Sequence, residues 1–468
     1  MLIPRLRASL AFLALVLACA ARANESGARA AFRPGTPIAI GHAPLALAVG
    51  DLDGDGRLDV ALASDDSTVT TLLGDGTGGL RSQRDLPVAA ALAGIALGRV
   101  DADARLDAVV SGSSSGAVIT LLGAGDGSLV AGPVTSGTWT PASLALRDLD
   151  GDGHVDAVVA DLFFGAVVEA RGDGTGAFAF ASQASGFSDP SALALADVTG
   201  DGTADVAVTD PVARTVTIVT GGAAGGLGAL RATPVSGSPV SVALADLDGD
   251  GLADAVVGMQ RPSQVGVLLG NADGSLRLVQ LMDFGADPRG IAIADFDGDG
   301  IPDMAVADRA ANLIFVLYGR GDGIFERSTL FPTGAAPSGL VAADMNGDGR
   351  VDLVCANHDD RSVTVFLNNG PPLPPSALTL LGAAPNPTRS TSTISFTLAA
   401  DAPVRCEILA ADGRLIRRLA DGRTFAAGFH RLPWDGTTDH GARAGSGLYF
   451  ARVRAGGSDQ TTRIVLTR

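Results

Sequence analysis

The stretch Asp51-Leu52-Asp53-Gly54-Asp55-Gly56-Arg57-Leu58-Asp59 places carboxylates at the first, third, fifth and ninth positions of a short loop. Short acidic side chains at alternating positions converge on one point when the backbone curls tightly, and glycine permits that curl because it tolerates positive φ. Converged carboxylates repel one another unless a cation sits among them. Ca²⁺ takes roughly six to eight hard oxygen ligands in flexible geometry, whereas Mg²⁺ demands a stricter octahedron. The spacing therefore points to calcium.

The loop recurs. Aligned on its first position it begins at Asp51, Arg99, Asp148, Asp197, Asp246, Asp295 and Asp344. Beside the first loop, the candidate ligand sets are Asp148, Asp150, Asp152 and Asp156; Asp246, Asp248, Asp250 and Asp254; Asp295, Asp297, Asp299 and Asp303; and Asp344, Asn346, Asp348 and Asp352. These five loops are expected to bind strongly. Asp197, Asp201 and Asp205 form a weaker set because Thr199 stands at the third position. In the second loop Arg99 replaces the first aspartate, and Ala102 and Ala104 replace the glycines. No calcium is expected there, and Arg99 is expected to pair with Asp101 or Asp103.

The seventh position holds Arg57, Arg105, His154, Thr203, Leu252, Ile301 and Arg350, which share no side-chain property. Such a position suits a residue that offers only its backbone carbonyl, as in other calcium loops. For the six metal loops the sets therefore include Arg57, His154, Thr203, Leu252, Ile301 and Arg350. The second position is always apolar (Leu52, Val100, Leu149, Val198, Leu247, Phe296, Met345), so it faces a core.

The chain has 468 residues and a formal charge of −17. The loop aspartates account for more than that excess, so the acidity belongs to the repeats rather than to a basic partner. Nothing resembles a phosphate loop, a dinucleotide fingerprint or a basic nucleic-acid stripe.

Each repeat carries the same elements. In the first, "PLALAVGDL" reads as a strand, the acidic loop follows, then "LDVALAS", "TVTTLLG" and, after the turn "GDGTGG", the more polar "LRSQRDLPV". Four short strands per repeat, seven times over and without a helical period, describe an all-β fold, a seven-bladed β-propeller. The last repeat stops after its third strand at "VTVFLNNG", while "AFRPGTPIAI" (31–40) precedes the first. The N-terminal strand is therefore expected to complete the last blade and hide its edge.

With its motif "VGDLDGDGRLDVALAS…TVTTLLGDGTGGL", the segment 30–370 resembles the FG-GAP/VCBS repeats of integrin-α-like propellers. The resemblance implies calcium at the first hairpin of each blade, with ligands bound on other surfaces. It implies no single activity.

The start "MLIPRLRASLAFLALVLACAARANES" has a basic n-region, an apolar h-region and Ala21-Arg22-Ala23 as a cleavage signature, so 1–23 reads as a signal peptide. A lipobox ending at Cys19 is the alternative. No later segment could span a membrane as a helix. A Pro-rich linker occupies 371–377, and 378–468 reads as a small β-sandwich. "PNPTRSTSTISF", "WDG" and "SGLYFARV" in that segment resemble the FlgD-like Ig domains and the C-terminal sorting domains of type IX secretion. That resemblance implies either engagement of the secretion machinery or a spacer. Cys355 and Cys406 fall in different domains and read as two buried free thiols.

Arg171-Gly172-Asp173 and Arg320-Gly321-Asp322 fall at the same turn of their repeats, where turn chemistry explains them. Gly112-Ser113-Ser114-Ser115-Gly116 has the form of a nucleophile elbow, but it lies in a hairpin rather than at a strand-to-helix turn. The five histidines form no zinc spacing. A ligand face is expected on the loops opposite the acidic ones, which carry His42, Trp139, Phe163, Phe164, Phe187, Asp189, Arg261, Arg289, His358 and Asp360. The expected function is a non-enzymatic, secreted or cell-surface adhesion protein binding a glycan or a surface protein. The alternatives are a polysaccharide lyase or hydrolase, and a purely structural surface component.

Overall fold

The computed structural model describes residues 32–370 and 378–467, apart from 138–139, 223, 285–286, 385–387, 399–400, 412, 427 and 456–457. The signal-peptide reading, the linker reading and Trp139 lie outside the described residues.

The first repeat folds as four antiparallel strands: β3 (Pro44–Gly50), β4 (Asp59–Ser64), β5 (Thr68–Gly74) and β6 (Leu80–Pro87). The same meander recurs, and the described residues of this part form seven such sheets. The innermost strand of each sheet packs against that of the next, and Pro337–Ala343 returns to β3, so the sheets close into a ring.

The last sheet is completed from the other end of the chain. Two short strands, β1 (Phe32–Pro34) and β2 (Ile38–Ala39), pair antiparallel with Ser362–Asn368, with Phe32 opposite Asn368 and Ile38 opposite Val363. The expected closure by the N-terminal segment is what the structure shows.

Burial follows from this stacking. The second strand of each sheet is covered on both faces by its neighbours, so every residue of β4 is buried. Strands of Ala and Val fit there because adjacent sheets approach closely. One core cluster joins Leu52, Ala61 and Val69 of the first sheet to Leu92, Ile95, Ala108 and Val110 of the second. The fourth strand lies on the rim and is mostly exposed, as in β6.

The C-terminal part is a two-sheet sandwich. One sheet contains Thr379–Ala384, Ser392–Leu398 and Gly428–Trp434; the other contains Leu415–Phe425, Ala402–Ala410, Gly447–Ala455 and Ser458–Leu466. Both contribute to one core around Trp434, Phe396, Cys406 and Val453. The Trp434 indole N–H donates to the Thr437 carbonyl at 2.9 Å, which satisfies its one polar atom. Cys355 and Cys406 are both free and buried, and burial pushes each thiol up to about 12.

Candidate metal centres in the aspartate loops

Each loop joins the innermost strand of a sheet to the second strand. In the first, Gly54 and Gly56 adopt φ of 77° and 83°. The fold needs those values because the chain must turn twice within three residues to bring its N–H groups inward. The Asp51 Oδ1 accepts the Gly54 N–H at 2.8 Å, and its Oδ2 accepts the Gly56 N–H at 2.9 Å. The third and fifth positions make shorter-range bonds: Asp53 accepts the Asp55 N–H at 3.1 Å and Asp55 the Arg57 N–H at 2.9 Å. The side chains are thereby aimed at one another before any cation arrives.

The carboxylates do converge. Ligand atoms of Asp51, Asp53 and Asp59 lie within 4.8 Å of one another, as do those of Asp148, Asp150 and Asp152, of Asp246, Asp248 and Asp250, and of Asp295, Asp297 and Asp299. The fourth and seventh loops keep the same first-position cradle: Gly202 donates to Asp197 at 2.9 Å, and Gly349 donates to Asp344 at 2.8 Å. The donor set is hard oxygen throughout and includes neutral Asn346, so it suits a hard cation.

The electrostatics of these loops suit a bound cation. Burial pushes Asp254 up to about 7 and Asp248 up to about 6, and adjacent carboxylates add to both shifts. Asp303 is raised well above the carboxylate range by burial and by Asp297. A cation among these groups would reverse the penalty.

The second loop differs in its backbone. Ala102 and Ala104 do not take positive φ, and no aspartate stands at the first position to cradle their N–H groups. Asp101 forms a bridge to Thr175 of the next sheet in their place. The expected Arg99 pairing is not observed. Its Nε donates to the Ala104 carbonyl at 3.0 Å, and Arg105 is the residue that faces Asp103, at 3.5 Å. The physical reason is reach: Arg99 sits at the loop base, where its guanidinium meets the returning backbone first. Asp101, Asp103 and Asp107 still converge within 4.8 Å.

The ninth position has a role that its spacing alone did not reveal. The Asp59 Oδ2 accepts the Leu52 N–H at 2.8 Å, and its Oδ1 accepts the Gly74 N–H at 2.7 Å. The same pair of bonds recurs for Asp107, Asp156, Asp205, Asp254, Asp303 and Asp352. This carboxylate ties the loop to the end of the third strand whether or not the other ligands are present. Glycine recurs at that strand end because a Cβ at Gly74 would stand 2.2 Å from the Leu58 carbonyl oxygen. Asn368 replaces it in the last sheet and donates to the Phe296 carbonyl at 2.7 Å.

Seventh-position side chains are not all idle. Arg57 pairs with Asp55 at 3.2 Å, Arg350 pairs with Asp348, and the Thr203 hydroxyl donates to Asp201 at 2.6 Å. In the third loop Asp150 also meets Arg171 at 3.0 Å, and Arg431 of the sandwich lies 3.8 Å from Asp246. Arg171 further pairs with buried Glu169 at 3.2 Å, so the first Arg-Gly-Asp sequence has its arginine engaged by the framework.

At the opposite end of three sheets, the turn from second to third strand is clamped by a buried aspartate, Asp161, Asp210 or Asp308. Asp161 accepts the N–H groups of Phe163 at 2.8 Å and Thr140 at 3.2 Å, and Asp210 accepts those of Ser188 at 2.6 Å and Ala213 at 2.8 Å. Their recurrence one repeat apart was a visible signal. The supposed elbow serine, Ser114, accepts the Ala91 N–H at 2.8 Å within its hairpin.

Residues 51–110, 99–159, 148–208, 246–306 and 295–355 match the FG-GAP-like repeat, together more than half of the chain. The chain belongs to the FG-GAP-like repeat family. Residues 385–459 match the FlgD Ig-like domain, consistent with the C-terminal sandwich. No curated protein matches the chain. Solved structures share the ring architecture of this FG-GAP repeat protein. BBS1N from its complex with ARL6DN is 12% identical, with a TM-score of 0.54 over 73% of this chain and 98% of that one. Virginiamycin B lyase from Staphylococcus aureus is 13% identical, with a TM-score of 0.51 over 72% and 99%. A putative 6-phosphogluconolactonase from Bacteroides uniformis is 16% identical, with a TM-score of 0.52 over 67% and 95%. At these identities the likeness is one of fold. No helix among the described residues is long and apolar enough to cross a membrane.

Proposed function

We propose that this FG-GAP repeat protein is an exported, calcium-stabilised propeller that binds a glycan or a protein at the cell surface and is not an enzyme. The observation that carries the calcium reading is the glycine-cradled convergence of carboxylates around Asp51, Asp148, Asp246 and Asp295. In each of these loops the carboxylates at the first, third, fifth and ninth positions and the seventh-position carbonyl would hold the ion. Calcium would supply the charge that offsets their mutual repulsion. Asp344 with Asn346 completes the five strong sites; Asp197 with Asp201 and Asp205 is the weak one.

The binding reading rests on the opposite face. Phe163 is 70% exposed and stands edge-to-face with Phe164 at 5.2 Å between ring centroids. Val212 projects at the equivalent turn of the next sheet. Aromatic faces held by a clamped turn suit the apolar face of a sugar ring. The C-terminal sandwich would serve as a sorting or spacer domain.

Metal content of the purified full chain tests the first part. Five or six Ca²⁺ per chain are expected, with a large fall in unfolding temperature on chelation; a metal-free chain with unchanged unfolding would remove the proposal. Glycan-array binding in calcium, lost in Phe163→Ala, tests the second part. Activity on a polysaccharide panel would favour an enzyme.

A further inference from the structure

The last sheet is closed by strand pairing with the N-terminal segment rather than by a covalent link. After β1 and β2 pair with the last sheet, the chain crosses to the first sheet through Ile40–Ala43. The crossing is gripped from both sides. The Ile40 N–H donates to the Arg361 carbonyl at 2.9 Å, and Gln83 Nε2 donates to the Ile40 carbonyl at 2.8 Å.

His42 lies at the centre of this crossing. Its Nδ1 is 2.5 Å from Asp66 Oδ2 in the β4–β5 turn, and its Nε2 is 3.6 Å from Asp85 Oδ2 on β6. Both ring nitrogens therefore face carboxylates. A neutral imidazole can bond to Asp66 but offers Asp85 no charge; the imidazolium donates to Asp66 and pairs ionically with Asp85, which also accepts the Thr70 hydroxyl at 2.8 Å and Gln83 Nε2 at 3.0 Å. Side-chain exposure is 25% for His42, against 47% for Asp66 and 39% for Asp85, so the imidazole is the more enclosed partner.

The other charged groups of the seam make the proton matter more. From the last sheet, His358 reaches across with its Nε2 3.7 Å from Asp65, while its Nδ1 is 2.7 Å from Asp359. Asp360 accepts the Ala335 N–H at 2.6 Å, and Arg361 extends toward the Gly41 carbonyl at 3.5 Å. Four carboxylates, Asp65, Asp66, Asp85 and Asp359, thus contact the two imidazoles of the seam.

We propose that His42 is a pH-responsive clasp on the propeller seam: protonated, it pins the crossing segment Ile40–Ala43 against the first sheet through Asp66 and Asp85, and on losing its proton it weakens one of the two contacts and loosens that crossing. The hydrogen bond with Asp66 holds the imidazole above its usual 6.5, against an opposing effect of burial. Burial would raise Asp66, but its bonds with His42 and Thr68 hold it below the usual carboxylate value. The folded state keeps the His42 proton more tightly than the unfolded chain. Its contribution is therefore complete below the unfolded value near 6.5 and disappears as pH rises through the elevated folded value. At the acid end the clasp is lost as Asp66 takes up a proton.

Thermal unfolding of the full chain and of His42→Gln, both in saturating calcium, tests the clasp between pH 5.5 and 8.5. The comparison cancels the protonation of the aspartate loops, which both proteins share. His42→Gln is expected to unfold about 1–3 °C lower at pH 5.5 and to match the wild-type chain by pH 8.5. Asp66→Asn should reproduce that profile, and the double variant should add little to it. A gap that does not change with pH, or no gap at pH 5.5, overturns the proposal. Proton NMR titration of His42 in the wild-type chain decides the matter without a variant: a midpoint at or below 6.5 also overturns it.

Discussion

The Asp107 carboxylate accepts the Val100 N–H at 3.0 Å, in the one loop that has lost both its glycines and its first aspartate. With the Gly123 N–H on its other oxygen at 2.8 Å, Asp107 makes the same bridge that Asp59 makes in an intact loop. The ninth aspartate is therefore a framework strut as well as a candidate ligand, and the two roles can be separated experimentally.

Asp107→Asn leaves an amide facing a backbone N–H in a buried site. Hydrogen bonds to charged groups contribute roughly 1.5–3 kcal/mol each, so the loss of one is expected to cost about 2 kcal/mol. Chemical denaturation should show that loss with the calcium content of the chain unchanged. Asp59→Asn should lower both stability and calcium content.

The second loop should be repairable. Substituting Arg99→Asp alone supplies a ligand but not the curl, because Ala102 and Ala104 still disfavour positive φ. The triple variant R99D/A102G/A104G is expected to bind one more Ca²⁺ per chain than the parent by metal analysis, whereas R99D alone should not.

Removal of calcium should invert the pH response of stability. Without metal, Asp254 is raised to about 7 and Asp248 to about 6, both chiefly by burial. The folded state then binds protons that the unfolded chain releases, so stability falls as pH rises from the ordinary carboxylate range through those values. Chelated protein is expected to unfold at higher temperature at pH 5 than at pH 8. Bound calcium would hold these groups ionised in the folded state, so in saturating calcium the trend should flatten or reverse.

The strand-end glycines of the six sheets other than the last should tolerate a side chain poorly. A Cβ at Gly172 would stand 2.1 Å from the Val155 carbonyl oxygen, a backbone atom that cannot swing away as a side chain could. Gly172→Ala is expected to destabilise by about 3 kcal/mol in chemical denaturation. Asn368→Gly should be milder, about 1 kcal/mol, because it removes bonds without creating a clash.

Much of this protein is legible in its sequence because the repeat reports on local structure. The aspartate and glycine pattern of 51–59 is a contiguous loop, so its ligand positions and its turns follow from spacing alone. The alternating strands around it follow from side-chain periodicity, and the interruption of the last repeat at Asn369 pointed to closure by 31–40. Tertiary structure decided the partners. Arg99 chose the Ala104 carbonyl over an aspartate because of its position at the loop base. Asp59 reaches Gly74 across a hairpin, Arg431 of the sandwich reaches Asp246, and His42 meets Asp85 only where the ring closes. These contacts link residues far apart in the chain. Strand pattern and turn chemistry act over a few residues, whereas the register between sheets and the seam of the ring are set by packing of the whole circle.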